Sequence, residues 1–480
     1  MVNDNPISLI SKEKLSAKVS FYVYYYQNIN VLEVSVMREG ETKSLSKSEF
    51  LQISIMLFGL FFGAGNLIFP AFLGNMAGEN TTIALIAFSI TAIVFPILGV
   101  YAVSKSKGLL NLANRINPIF SVIYTTAIFL SIGPGLGIPR AGSMPFELAV
   151  APYIPEIFNI TLARIIYTSI FFISAYLLSI RPSKLVTRMG KILSPSLIVL
   201  IILLFISIYF KIDAKIAAPK SSYSDKAFTT GFLEGYNTMD AIASLNFGLV
   251  ISQAIRQFQI ISDKAVKKYS LKAGLVAGAV LFLIYSILSY IGKVSSSMIA
   301  RPHNGAIVLS EMSNISLGEF GAILLAVIFT LACLTTCVGL ITSGANYFDH
   351  LTKEKLGYST WVVILSLTSF ITANFGLDMI LKFSEPVLTI IYPVSILLII
   401  LGISHDLIGY SSLVYKVSAA VAVVLPTIHV LSKMGLRLPL LTNLEAGLPL
   451  AKNGLSWVLP CLVIIVILTV IDKIKVRNNN

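Results

Sequence analysis

Long apolar runs, separated by short polar segments, follow one another along most of this chain. A helix that crosses a bilayer needs about 20 mostly apolar residues, and runs of that length predict about twelve membrane-spanning helices. The fold class indicated by this pattern is an all-α integral membrane protein. The predicted spans cover residues 50–74, 82–104, 118–150, 161–180, 190–210, 229–254, 273–298, 320–346, 359–376, 378–401, 415–432 and 455–472.

The composition agrees with this interpretation and excludes two other classes of protein. Hydrophobic residues make up 56% of the 480-residue chain and charged residues only 12%, whereas soluble domains carry about 25% charged residues. Such a chain cannot cover a water-soluble surface, and it is too apolar to remain disordered. The surroundings that it requires are a lipid bilayer.

The net charge of +13 would suit a nucleic-acid-binding protein, but the positions of the charges indicate another origin. An even number of spans places both termini on one side of the membrane. With the N-terminus inside, 24 of the 36 basic residues fall in cytoplasmic segments. This bias is the positive-inside pattern of membrane proteins. It predicts that both termini are cytoplasmic and that no nucleic acid partner is involved.

The ends of the chain stand apart from the spans. Residues 1–36 contain an aromatic stretch but no long apolar segment with a cleavage site, so they do not form a signal peptide. We expect them to be an N-terminal extension without a role in transport, so that a chain beginning at Met37 would transport as well as the full chain. Residues 37–48 then form the cytoplasmic N-terminus, and residues 473–480 form a cytoplasmic tail.

The first span contains Gly63, Gly65 and Asn66 close together, where a continuous helix would favour leucine or alanine. Hydrocarbon cannot solvate free peptide groups, so a break here indicates a cavity or a binding site. A broken helix offers N–H groups to an anion and carbonyl groups to a cation. The alternative is a glycine face used for close helix packing.

The sixth span begins with a similar interruption over residues 231–240, which includes Glu234 and Asp240. Carboxylates at this depth are costly unless they face a cavity or a partner. Each is a candidate cation ligand, proton-coupling group or half of a structural ion pair, and an extracellular loop is the alternative for residues 231–234. Interruptions in spans one and six are typical of inverted-repeat transporters. The predicted halves are residues 49–210 and 229–401, followed by two further helices over residues 415–472; no residue-level identity links the halves.

Two further features contribute to the candidate chemistry. Thr335 and Thr336 lie in an apolar span, where threonine hydroxyls usually bond to their own helix but can also bind a hard cation. Gly133 and Pro134 predict a kink in the third span. Cys333 and Cys337 are interpreted as small buried residues. No spacing of histidines, cysteines or carboxylates indicates a metal centre, so no cofactor is predicted.

Three segments of the chain resemble the bacterial branched-chain amino acid carriers, the LIV-II or BrnQ family of Na⁺-coupled symporters. They are residues 62–75 (FGAGNLIFPAFLGN), 131–140 (SIGPGLGIPR) and 234–248 (EGYNTMDAIASLNFG). The resemblance implies import of leucine, isoleucine and valine across the bacterial cytoplasmic membrane, with Na⁺ as the coupling ion. It also implies a LeuT-type 5+5 inverted-repeat fold with broken helices 1 and 6, and no obligate protein partner.

The resemblance also suggests roles for particular residues. Backbone N–H groups that would receive the substrate carboxylate belong to Ala64, Gly65 and Asn66. Oxygen ligands for Na⁺ would come from Gly59, Phe62, Ala332, Thr335 and Thr336. Residues that would contact the ammonium group and line the side-chain pocket are Tyr236, Asn237, Thr238 and Asp240. Glu234 is a possible coupling residue, and Gly133 with Pro134 a possible pocket wall.

Other functions remain as alternatives at this point. The same fold could carry another neutral amino acid, or use H⁺ with Asp240 or Glu234 titrating. A membrane-embedded enzyme is disfavoured because nucleophile motifs, metal-ligand clusters and a large soluble domain are all missing from the sequence. A channel is disfavoured because nothing in the sequence indicates a symmetric pore.

Overall fold

A computed structural model describes residues 44–155, 157–436 and 439–479, and within these ranges the chain forms helices and no β-strand. The predicted extension, residues 1–36, and most of the predicted N-terminus, residues 37–48, lie outside the described residues. The α-helices in chain order are α1 (Lys47–Phe61), α2 (Ala64–Ala77), α3 (Thr81–Ser89), α4 (Phe95–Lys105), α5 (Leu109–Asn114), α6 (Pro118–Leu130), α7 (Gly137–Pro145), α8 (Ile160–Ser179), α9 (Ser194–Lys211), α10 (Tyr223–Tyr236), α11 (Asp240–Gln257), α12 (Asp263–Ser295), α13 (Gly305–Leu317), α14 (Glu319–Leu351), α15 (Tyr358–Ala373), α16 (Leu377–Ile408), α17 (Ser412–Lys433), α18 (Pro439–Ala446) and α19 (Val458–Asn479).

Every predicted span coincides with a helix or an interrupted helix, but fewer of them meet a strict length criterion. By length and apolar composition, eight helical stretches in the described ranges can cross a membrane, or nine if the bent pair α10–α11 is one span. The first predicted span is divided between α1 and α2, and α15 has only 16 residues, which is about 24 Å of helix. The number of twelve crossings therefore stays a prediction.

Helix α2 is held by unusually close contacts with α12 and α13. A Cβ atom added to Gly74 would lie 2.0 Å from the carbonyl oxygen of Ser289, and one added to Gly305 would lie 1.9 Å from that of Ile68. Only glycine allows backbones to approach this closely, which is a common device in membrane helix packing. The direction of α2 is thus fixed by two neighbouring helices. One of them, α13, lies in a stretch for which the sequence predicted no helix.

One end of the molecule collects segments that the charge pattern assigned to the cytoplasm. Lys105 at the end of α4 pairs with Asp406 near the end of α16 at 3.0 Å. Lys107 and Arg256 both pair with Asp263, the first residue of α12. These ion pairs bring the ends of four predicted spans together, as a common side of the membrane requires.

The other end of α12 carries a second anchor. The Lys220 ammonium donates to the Asn75 side-chain oxygen at 3.1 Å, to the Ser296 carbonyl at 2.8 Å and to the Ile299 carbonyl at 3.0 Å. A cation is favourable where a helix ends because the terminal carbonyls carry partial negative charge. Partial burial lowers the pKa of Lys220. The loop between α9 and α10 is thereby attached to the end of α2.

Candidate functional site

The first predicted span is interrupted between Phe61, where α1 ends, and Ala64, where α2 begins. Gly63 is extended, with φ −104° and ψ −169°. Its N–H group donates to the side-chain oxygen of Asn66 at 3.1 Å, so the start of α2 is capped by its own third residue. The N–H groups of the first turn of a helix have no partner within the helix, so those of Ala64 and Gly65 depend on partners outside α2, and the Ala64 N–H group contacts the buried thiol of Cys333 on α14.

The same interruption leaves carbonyl oxygens at the end of α1. The Gly63 N–H group, which a continuous helix would direct to Gly59, instead donates to Phe61 at 2.9 Å. The Phe62 N–H group donates to Phe58 at 2.9 Å, so the Gly59 carbonyl receives neither of the backbone N–H groups of residues 62 and 63. Buried carbonyls usually have a partner, so the Gly59 oxygen is a candidate for a bound cation.

The second interruption separates α10 from α11, whose axes are bent by 44°. The connecting turn contains Met239 in the left-handed conformation, with φ 60° and ψ 16°. A side chain other than glycine is uncommon in this conformation and marks a position that the surroundings determine strongly. The turn ends at Asp240, the first residue of α11, which is 6% exposed.

Asn66 joins the two interruptions directly. Its amide nitrogen donates to Asp240 Oδ2 at 2.6 Å and to the hydroxyl of Tyr285 on α12 at 2.6 Å. All three residues are buried. A hydrogen bond to a buried carboxylate is worth more than one between neutral groups. The side chain of Asn66 therefore couples α2 to α11 and α12, in addition to the backbone role that the resemblance implied.

Helix α14 brings its threonines to the end of α1. The Thr335 hydroxyl donates to the Ala332 carbonyl at 2.9 Å, which is the ordinary bond within a helix, and its lone pairs remain available. The Thr336 hydroxyl oxygen is buried without a hydrogen-bond partner among the described residues. It would lie 3.2 Å from a Cβ atom on Gly63, and the Thr335 Cβ would lie 3.7 Å from one on Gly59. The structure thus places the side chains of Thr335 and Thr336 beside Gly59 and Gly63.

The chemistry of this oxygen cluster limits which ion it suits. In the described ranges there is no group of three or more histidines, cysteines, aspartates or glutamates that could hold a metal ion. Carbonyl and hydroxyl oxygens are hard, neutral ligands. They suit a hard monovalent cation better than a transition-metal ion.

The third predicted span is kinked where the sequence placed the kink. Gly133 has φ −77° and ψ −121°, outside the helical region, and Pro134 follows it. Helix α7 begins after this kink and contains Arg140. A terminal nitrogen of Arg140 lies 3.8 Å from the position of a Cβ atom on Gly65. The kinked segment therefore directs a guanidinium towards the first turn of α2.

The remaining predicted residues differ in their surroundings. The ring of Tyr236 packs edge-on against that of Tyr392, with 4.3 Å between the centroids. Asn237 is exposed, and the Thr238 hydroxyl donates to the Gly235 carbonyl at 2.8 Å. Glu234 is half-buried on α10, and within the described ranges no hydrogen bond of Glu234 to either Asn66 or Asp240 is observed. The structure therefore groups Asp240, but not Glu234, with the first interruption.

Sequence reasoning missed three residues beside these interruptions: Arg140, Tyr285 and Cys333. Arg140 had a usable signal, because it is the only basic residue between positions 118 and 150 and an ionisable residue within a span is a functional candidate. The thiol of Cys333 is buried and interacts with the backbone N–H group of Ala64. Tyr285 had no local signal, since tyrosine is ordinary in membrane helices.

Comparison with known proteins gives the family and the fold. Residues 46–475 match the family described as branched-chain amino acid transport protein. The branched-chain amino acid permease BrnQ of Bacillus subtilis (strain 168) is 36% identical over 424 residues, covering 88% of this chain and 96% of the permease. The permease BraB of the same organism is 38% identical over 425 residues, covering 88% and 94% respectively.

A solved structure supports the architecture. Mhp1, described as a nucleobase-cation-symport-1 family transporter in a closed conformation with bromovinylhydantoin bound, covers 85% of this chain and 96% of its own, with a TM-score of 0.50 at 12% identity. At this identity the likeness concerns the fold alone, and it confirms the predicted all-α, LeuT-type architecture.

The family match covers nearly all of the described chain, and the two permeases exceed 30% identity over most of their own length. The resemblance to the branched-chain amino acid carriers, which was inferred from three short segments, is therefore confirmed. The family consists of multi-pass membrane transporters of amino acids, which excludes the enzyme alternative. This chain belongs to the branched-chain amino acid transport protein family.

Proposed function

We propose that this protein imports leucine, isoleucine and valine across the bacterial cytoplasmic membrane by symport with Na⁺, through alternating access. The observation that carries the proposal is the cluster of oxygen atoms where α1 ends. The Gly59 carbonyl, whose helical donor Gly63 N–H is directed to Phe61, and the unpartnered Thr336 hydroxyl lie there, in a site without any carboxylate or imidazole cluster in the described ranges.

The ion would act by fixing the broken helix. Bound to the Gly59 carbonyl and the Thr335 and Thr336 hydroxyls, Na⁺ joins α1 to α14. The Ala332 and Phe62 carbonyls complete the proposed ligand set. Because the ion replaces hydrogen bonds that the break removes, it favours the conformation in which α2 begins at Ala64. That conformation directs the N–H groups at the start of α2 towards the substrate.

The substrate would be held as a zwitterion between the two interruptions. The N–H groups of Ala64 and Gly65, the positive end of α2 and the nearby Arg140 guanidinium attract its carboxylate. Asp240 and the turn at residues 236–239 supply negative charge and oxygen atoms for its ammonium group. The rings of Tyr236 and Tyr392 would border the branched side chain.

The orientation that we propose places both termini in the cytoplasm. The ion-paired end of the molecule, which contains Lys105, Lys107 and Arg256, would then face the cytoplasm, in agreement with the excess of basic residues in these loops.

Uptake of radiolabelled leucine by proteoliposomes tests the proposal. An inward Na⁺ gradient is expected to drive accumulation that choline or a pH gradient alone does not drive. Isoleucine and valine should both compete with leucine, with differences of at most about 10–200-fold, because one methylene in an apolar pocket is worth only about 1–3 kcal/mol. Accumulation driven by a pH gradient without Na⁺ would show that H⁺ is the coupling ion instead of Na⁺. Conductance without saturable uptake would indicate a channel.

The Thr336→Ala variant tests the ion site. The variant lacks one oxygen ligand, so the Na⁺ concentration for half-maximal leucine uptake is expected to rise about tenfold. This change corresponds to a loss of about 1.4 kcal/mol in the free energy of Na⁺ binding. Thr336→Ser, which keeps the hydroxyl, should recover most of the affinity. Thr427→Ala is a matched control, because Thr427 is a half-buried threonine on α17 whose hydroxyl donates to the Val423 carbonyl of its own helix. An unchanged Na⁺ dependence in Thr336→Ala would contradict the site.

A further inference from the structure

A buried serine on a third helix faces the same oxygen cluster. Ser194 is the first residue of α9 and is 0% exposed. Its hydroxyl oxygen would lie 2.0 Å from a Cβ atom on Gly59. The side chain of Ser194 therefore fills the space that the missing side chain of Gly59 leaves, directly beside the last turn of α1.

The hydroxyl of Ser194 has no hydrogen-bond partner in the part of the chain that the structure describes. Serines in membrane helices usually donate to a carbonyl of their own helix, and many in this chain do, such as Ser196 to Ile192 at 2.8 Å. An unsatisfied buried hydroxyl costs about 1–3 kcal/mol. A group that is both fully buried and unpartnered therefore requires a specific explanation.

The neighbours of Ser194 indicate what that explanation is. The position of a Cβ atom on Gly59 is 2.0 Å from Ser194 Oγ and 3.7 Å from Thr335 Cβ, so the two side chains meet at the same point of α1. One turn further on, the unpartnered hydroxyl of Thr336 lies beside Gly63. Two buried hydroxyls without partners among the described residues thus lie beside the end of α1, where the Gly59 carbonyl has lost its helical donor.

The approach of this segment to α1 is built into the backbone. Just before α9, a Cβ atom on Gly190 would lie 2.1 Å from the carbonyl oxygen of Gln52 on α1. Together with the contact between Gly59 and Ser194, this gives two close contacts between the same two segments. The position of Ser194 next to α1 is therefore fixed by the close packing of the two backbones.

We propose that Ser194 is a ligand of the transported Na⁺, so that the ion is held by three helices, α1, α9 and α14. This inference rests on the proposed function, because it assigns a further residue to its cation site. The Ser194 hydroxyl directs a lone pair to the ion and leaves its hydrogen free for a neighbouring oxygen atom. A neutral oxygen adds coordination without adding charge, which suits a monovalent ion.

The two possible roles of Ser194 predict opposite effects of Ser194→Ala. If the hydroxyl has no ligand, its removal relieves an unsatisfied buried group, and the variant is at least as thermostable as the wild type at every Na⁺ concentration. If it binds Na⁺, stabilisation by the ion weakens, and the Na⁺ concentration for half-maximal stabilisation and for half-maximal leucine uptake rises about tenfold. Ser196→Ala is the matched control, since Ser196 is exposed on the same helix.

The experiment measures both quantities on the full-length purified protein, by thermal unfolding in detergent and by uptake in proteoliposomes, over a Na⁺ titration. A rise in both half-maximal concentrations for Ser194→Ala, but not for Ser196→Ala, supports the inference. If Ser194→Ala keeps the wild-type Na⁺ dependence while Thr336→Ala has a lower Na⁺ affinity, the inference is overturned and the proposed function remains intact. This result is expected if Ser194 binds a water molecule instead of the ion. A wild-type protein that responds to Na⁺ in neither assay overturns the proposed function itself.

Discussion

Replacing Asn66 by alanine is expected to reduce leucine uptake by at least about tenfold at equal amounts of protein in the membrane, because losing a buried hydrogen bond to a charged group costs about 1.5–3 kcal/mol. The change removes the donor to Asp240 Oδ2 and to the Tyr285 hydroxyl. It also removes the cap on the N–H group of Gly63. Both interruptions would then lose their shared contact, and the Asp240 carboxylate would remain buried without this partner.

The measurement needs a control that separates transport from folding. Asn75 is a buried asparagine on the same helix, and it donates to the Ser295 hydroxyl at 2.7 Å. Asn75→Ala is expected to lower the unfolding temperature while the leucine concentration for half-maximal uptake stays close to the wild-type value. Equal effects of the two variants on that concentration would contradict a specific role of Asn66.

A second variant identifies the cause of the loss. The double variant Asn66→Ala/Asp240→Asn leaves no buried charge without a partner. Its unfolding temperature should therefore be higher than that of the single variant Asn66→Ala. Uptake should not recover, because the contact between α2 and α11 is still missing and the substrate ammonium has lost its carboxylate. Recovery of uptake in the double variant would show that Asn66 serves only to stabilise Asp240.

The sequence predicts the helices and their interruptions because both depend on local chemistry. Apolar runs place the spans, and Gly63, Gly133 and Asp240 mark positions where a continuous helix is unfavourable. The connecting helix α13 was not predicted, since its 13 residues are too short for a span and mix polar with apolar side chains. The number of crossings is equally hard to fix when a span is divided into two short helices.

The contacts at the site could not be predicted, because they join residues far apart in the chain. Asn66 is 174 residues from Asp240 and 219 from Tyr285. Sequence reasoning identified Asn66 and Asp240 separately, as polar residues in apolar spans, but not their hydrogen bond. Ser194 could not be singled out at all, since its importance arises only from the space beside Gly59 and from the absence of a hydrogen-bond partner among the described residues.

The Gly59→Ala variant is expected to lower both stability and uptake, because its methyl group would occupy the space of the Ser194 side chain. The added carbon would lie 2.0 Å from Ser194 Oγ and 3.0 Å from Ser194 Cβ. Overpacking of this kind costs about 1–3 kcal/mol. Rotation of the hydroxyl would relieve only the first contact, and it would move the oxygen away from the cation cluster. We expect uptake at fixed, subsaturating Na⁺ to fall by at least about tenfold.

Combining Gly59→Ala with Ser194→Gly separates packing from ion binding. The double variant removes both close contacts, and glycine near the start of a helix costs about 0.5–1 kcal/mol at most, so the unfolding temperature without Na⁺ should return close to the wild-type value. If Ser194 is a ligand, the Na⁺ requirement of leucine uptake stays about tenfold raised, since no hydroxyl remains on α9 at this point. If Ser194 only fills space, the methyl group introduced by Gly59→Ala replaces it, and the Na⁺ requirement recovers together with stability. Thermal unfolding without Na⁺, compared with the Na⁺ titration of uptake, therefore distinguishes a helix contact from an ion site.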